Sequence, residues 1–108
     1  ILSRPFLFHG VLMLFVLNCT DKLDHLNVRL DNRPAHLDYL KSQGTKVKLA
    51  GPFLAADHKT PIGSMVIIDC ASEDEAKTFA ANDPYAKAGL FADVAVRPWI
   101  WAVNAPSA

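Results

Sequence analysis

Two arginines and a histidine stand out by type and spacing: Arg29, Arg33 and His36, within Arg-Leu-Asp-Asn-Arg-Pro-Ala-His-Leu-Asp-Tyr. On a helix they fall at i, i+4 and i+7, so two guanidinium groups and an imidazole share one face. An imidazole with its ordinary pKa of about 6.5 takes and returns a proton at neutral pH. Guanidinium groups beside it match the oxygen of a developing enolate or phenolate. Leu26, Leu30, Leu37 and Leu40 are expected on a second face, the one that packs. The bland alternative is an ordinary amphipathic helix, with His36 inert and the arginines solvated or paired with Asp31 or another local carboxylate.

The elements that must position this stretch follow from pattern and punctuation. Asp24 is expected to cap a helix running from His25 to about Gln43, where Gly44 supplies a left-handed stop. Pro34 lies inside that span and costs about 3 kcal/mol in a helix interior, so a kink or break is expected near Asn32 and Arg33. Residues 14–19 read as a buried strand ended by Thr20-Asp21-Lys22. A second strand covers 47–54, a polar turn 57–63 and a third strand 65–69, with Pro52 at an edge or bulge. Ser72-Glu73-Asp74-Glu75 is a capping box opening a helix whose Ala76, Phe79 and Ala80 form an apolar stripe. Asp83 and Pro84 suit the N-cap and first position of a short helical turn that Gly89 ends. Val94, Val96, Trp99 and Trp101 are expected in a last strand reaching about Val103, with Pro98 again at an edge or bulge.

That order, β-α-β-β-α-β, implies an α+β fold: a four-stranded antiparallel sheet with two helices on one face. The strands at 14–17 and 65–68 are too uniformly apolar to leave the other face in water, so a homodimer through the sheets is expected. Trp99 and Trp101 fit sheet or dimer packing, with pocket lining as the lesser role.

Composition excludes several function classes. The 108 residues are 51% hydrophobic, and eleven basic residues balance eleven acidic ones. No basic run supports a nucleic-acid or acidic-membrane partner. The apolar run at 11–17 is far shorter than the roughly 20 residues of a membrane span. Residues 1–12 read as an upstream extension, 13–103 as the domain and 104–108 as a frayed tail. Cys19 and Cys70 share no metal-ligand spacing and read as buried thiols of a reducing, cytoplasmic setting. His25 and His58 lie in polar terminal or turn contexts and His9 in the extension, so none is assigned a role. No serine or cysteine nucleophile has a recognisable setting, which disfavours covalent acyl transfer.

Several motifs in order complete the picture: Met13-Leu-Phe-Val-Leu, Arg33-Pro-Ala-His36-Leu, Ala50-Gly-Pro52, Gly63-Ser64, Asn82-Asp83-Pro-Tyr85-Ala-Lys-Ala-Gly89 and Val96-Arg-Pro-Trp99. Together they resemble the YciI-like (YCII-related) family over about residues 13–103. The resemblance implies a ferredoxin-like fold assembled as a dimeric α/β barrel, and a His-Asp pair as the catalytic centre. On this sequence the pair is His36 and Asp83, although Asp83 is also explained as an N-cap. Arg29, Arg33, Ser64 and Tyr85 are the candidates for binding the substrate. The family includes lyases that remove chloride from hydroxylated chloroaromatics, and the wider superfamily includes lactone isomerases and haem-dependent oxygenases. The expected function is therefore proton transfer or chloride elimination on a small hydroxylated ring. The alternatives are a non-catalytic small-molecule-binding or dimerisation module and, third, a haem-type oxygenase. No cofactor is assigned, and no metal, since His36 and Asp83 lack a visible third ligand.

Overall fold

Two apolar strands at the centre of the sheet set the architecture of the chain. The computed structural model describes residues 13–106; the expected extension at 1–12, with His9, and the last two tail residues lie outside the described residues. The central strand β1 (Leu14–Asp21) pairs antiparallel with both β3 (Pro61–Asp69) and β4 (Phe91–Trp99). Strand β2 (Val47–Leu54) joins β3 at the edge, giving the order β2-β3-β1-β4. The helices are α1 (Leu26–Ser42), α2 (Glu73–Ala81) and a single turn α3 (Pro84–Lys87). The fold is α+β and ferredoxin-like, and Pro52 and Pro98 both sit on edge strands, where a missing N–H costs least.

Side chains two apart share a sheet face. Phe15, Leu17 and Cys19 of β1 join Val66 and Ile68 of β3 against Leu40 of α1 and Ala76, Phe79 and Ala80 of α2. Burying side chains such as Leu17 and Ile68 contributes about 1.5–3 kcal/mol each. The opposite face carries Leu14 and Ile67, with Trp99 opposite Leu14 and Leu49 opposite Ile67. Trp99, Leu49 and Phe53 on that face are exposed.

Local chemistry fixes the ends of the elements. Ser72 caps α2 by accepting from the Glu75 N–H, and the Glu75 carboxylate accepts from the N–H of Ala71. Gly44 and Gly89 adopt φ of 60° and 78° where α1 and α3 stop. Gly63 is demanded by proximity: a Cβ there would lie 2.5 Å from the carbonyl oxygen of Cys19, a backbone atom that cannot step aside. Gly63→Ala is expected to cost about 1–3 kcal/mol, read as a lower urea midpoint, because the β1–β3 ladder must part to admit a methyl group.

Four expectations need correction. Helix α1 continues through Pro34, so the expected break near Asn32 and Arg33 does not occur. Pro34 and the preceding turn's Leu30 are on the exposed side, where water can satisfy the carbonyl that the proline leaves unbonded. Asp24 is not the cap: it has φ 58°, and His25 occupies the N-cap without a side-chain capping hydrogen bond, its Nδ1 lying 2.8 Å from the Leu23 carbonyl oxygen instead. Strand β3 begins at Pro61 rather than 65, pairing Pro61 with Leu54, and this places Ser64 inside the ladder. Strand β4 ends at Trp99; Trp101 lies beyond it and leans on Trp99 with ring centroids 5.6 Å apart.

Candidate functional site

The face of α1 that turns inward is the polar one. Its buried residues are Arg29, His36 and Leu40, whereas Leu26 and Leu30 are exposed and Leu37 is half-buried. Of the expected leucine face Leu40 reaches the core and Leu37 is half-buried, but Leu26 and Leu30 give way to Arg29 and His36, and the reason is electrostatic: each buried cationic or basic side chain meets its own carboxylate from a different element.

Arg29 lies across the end of β1. Its Nε donates to Asp21 Oδ2 at 2.7 Å and its Nη2 to Asp21 Oδ1 at 2.9 Å, a fork geometry, while Nη2 also donates to Ser64 Oγ at 2.8 Å. Burial works against the charge of Arg29, and hydrogen bonding and attraction to Asp21 outweigh it, so the guanidinium is held charged. The partner is Asp21, a carboxylate from β1 that the sequence did not single out.

His36 Nδ1 lies 2.9 Å from both carboxylate oxygens of Asp83, which also caps α3 by accepting from the Tyr85 N–H at 2.9 Å. A carboxylate can only accept, so in the neutral imidazole Nδ1 carries the hydrogen and Nε2 keeps its lone pair. The Tyr85 ring stacks on the His36 imidazole at 4.0 Å and 15°, and the Arg29 guanidinium carbon lies 4.6 Å from the same ring centroid. Tyr85 is almost fully buried, and burial raises its phenol pKa above the ordinary value, with Arg29 and Arg33 pulling the other way.

Arg29, His36, Ser64 and Tyr85, but neither carboxylate, line a cavity of about 240 Å³ between α1 and the β2–β3 edge. Its wall is apolar where Leu30, Leu37 and Leu40 face Ala50, Pro52, Pro61 and Val66. Its polar groups are Arg29, Arg33, His36, Ser64 and Tyr85. Arg33 is exposed, one helical turn beyond Arg29. The shape is that of a small-molecule site: mostly apolar, with a few convergent polar groups. Among the described residues no three His, Cys, Asp or Glu side chains gather to hold a metal ion.

A family pattern covers the whole of this arrangement. The YCII-related domain model matches residues 13–100. The chain belongs to the YCII-related family. This YCII-related chain is 39% identical over 94 residues to Protein YciI of Escherichia coli, covering 81% of the chain and 96% of that protein. It is 38% identical over 94 residues to an uncharacterised protein of Haemophilus influenzae, with the same coverage, 81% and 96%. Among solved structures it is similar to 5-chloro-2-hydroxyhydroquinone dehydrochlorinase (TftG) of Burkholderia phenoliruptrix, in complex with 2,5-dihydroxybenzoquinone. The TM-score is 0.76 at 42% identity, over 82% of this chain and 94% of the other.

All six residues singled out in the sequence fall in or beside the cavity of this YCII-related chain. Arg29, Arg33, His36, Ser64 and Tyr85 line it, and Asp83 stands behind His36. Asp21 was not among them. Its only sequence signal is an acid closing an apolar strand; its partner is eight residues on, across a turn, where no periodicity links them.

Cys19 is buried in the core next to these charges. Burial first, then the charge of Asp83, pushes its thiol from an ordinary 9.0 up to about 12. The neutral thiol is thus favoured by folding, so its contribution to stability is intact below about pH 9 and is lost as pH rises toward 12. Wild type is expected to lose about 1.4 kcal/mol per pH unit in that window relative to Cys19→Ala, measured by urea unfolding at several alkaline pH values.

Proposed function

We propose that the chain is a small-molecule lyase or isomerase that moves a proton on a hydroxylated, ring-sized substrate, with His36 as general base and acid and Asp83 as its orienting partner. The observation that carries this reading is the His36–Asp83 pair at 2.9 Å, with His36 lining a ring-sized cavity. Nε2 takes a proton from a ring hydroxyl, and Asp83 stabilises the imidazolium that forms. The same nitrogen returns the proton to a ring carbon. Arg29, fixed by Asp21, and the Ser64 hydroxyl are placed to receive the ring oxygen as charge builds on it.

The dehydrochlorinase named above supports the reaction class, since loss of HCl from a chlorinated hydroxyhydroquinone is such a proton transfer. One hydroxyl proton goes to the chlorine-bearing carbon. A second hydroxyl then loses its proton as chloride leaves, and the ring ends as a quinone with no external oxidant. The test is chloride release and product mass with chlorinated hydroxyhydroquinones. Catalysed release of chloride with a product lighter by HCl is expected; binding without turnover would assign the cavity to a non-catalytic module.

The exposed side chains of Leu49, Phe53 and Trp99 on the apolar second sheet face support a sheet-to-sheet homodimer. Light scattering is expected to give twice the 11.8 kDa chain mass, and a monomer at high micromolar concentration would refute the dimer. No helix among the described residues is long and apolar enough to cross a membrane, and two unpaired buried thiols fit a cytoplasmic setting.

A further inference from the structure

We propose that the cavity takes its ligand as an anion, a planar ring bearing one ionised oxygen, and that Arg33 is the residue that selects for that charge. The inference rests on the ring-sized-ligand reading above and adds the ionisation state in which the ligand is bound. It follows from where each charge is spent. Arg29 is matched by Asp21 in a buried fork, and Nδ1 of His36 by Asp83. Both carboxylates stand behind their partners, and neither lines the cavity. Of the other lining side chains Ser64 and Tyr85 are neutral, so among the described residues no negative group faces the ligand.

Arg33 is different. It lines the cavity from the exposed side of α1 and makes no ion pair with any carboxylate among the described residues. Its charge reaches inward, since it acts with that of Arg29 on the Tyr85 phenol. A neutral ring would leave this cation facing an apolar wall, whereas a ring oxyanion turns the same contact into a charge-assisted hydrogen bond. The volume of about 240 Å³ limits the ligand to roughly one substituted six-membered ring, below the usual range for larger cofactors and drugs.

The experiment uses 4-nitrophenol, a single ring whose neutral and ionised forms have different absorption spectra, with nitrobenzene as the uncharged ring of similar size. At a pH where both forms of the phenol coexist, binding to the full chain is expected to enrich the phenolate about tenfold over its ratio in solution. Arg33→Gln, a change at an exposed position, is expected to remove most of that enrichment and leave nitrobenzene affinity unchanged. Binding of the neutral phenol, or an enrichment that survives Arg33→Gln, overturns the inference while the ring-sized cavity stands. Failure of both probes to bind the wild type at millimolar concentration overturns the inference together with the reading it rests on.

Discussion

His36→Gln is expected to lower turnover of a hydroxylated ring substrate by roughly 10²–10⁴-fold with the fold intact, the range that a positioned general acid–base contributes. Gln preserves much of the side-chain volume and a donor toward Asp83, so the 2.9 Å contact can be replaced without stranding the carboxylate. What it lacks is a nitrogen that binds and releases a proton near neutral pH. Substrate affinity is expected to change little, so the loss falls on kcat rather than KM. Steady-state kinetics, with circular dichroism as the check on folding, reads this. Asp83→Asn is expected to fall in the same direction by a different route, because an amide NH₂ facing Nδ1 favours the tautomer with its hydrogen on Nε2, leaving no lone pair for the substrate.

The second large effect is on stability. Asp21→Asn is expected to destabilise the chain by about 3–5 kcal/mol, since it leaves the Arg29 charge buried and uncompensated. For a domain whose whole stability is of the order of 5–15 kcal/mol, that is a large share. The double variant Asp21→Leu with Arg29→Met is expected to recover much of the loss, because two apolar side chains of similar size owe no desolvation. Urea midpoints of the wild type, Asp21→Leu, Arg29→Met and the double variant close the cycle. A cost for Asp21→Asn under 1 kcal/mol would mean that the pair behaves as an exposed one. Because Arg29 also donates to Ser64, the recovered double variant is expected to fold yet lose affinity for a ring oxygen.

The contrast between Asp83 and Asp21 shows what the sequence could and could not reveal. Asp83 announced itself locally: Asp-Pro is a helix-start signal, and the motif around it resembles a family pattern. Asp21 had only its place at the end of an apolar run. Its pairing with Arg29 depends on how a strand end and a helix meet after a turn, which no spacing rule supplies. The leucines misled for a related reason. Periodicity assigns the buried face to the apolar stripe, but on α1 the interior contains carboxylates and a cavity, so Arg29 and His36 turn inward and Leu26 and Leu30 stay out. Local signals served best where geometry is local: Ser72 caps α2, Gly44 stops α1, and Pro52 marks an edge. Pro34, on a solvated helix face, costs its hydrogen bond without ending the helix.

The most direct test of proton transfer by His36 is hydrogen exchange at ring carbon without net reaction. Hydroxyhydroquinone is kept anaerobically in D₂O with the protein, and loss of its ring-proton signals is followed by NMR. Wild type is expected to accelerate exchange at a ring position well above the protein-free rate, with His36→Gln and Asp83→Asn close to background. Exchange no faster with wild type than without it, or equally fast with His36→Gln, would contradict a role for this pair in moving the proton.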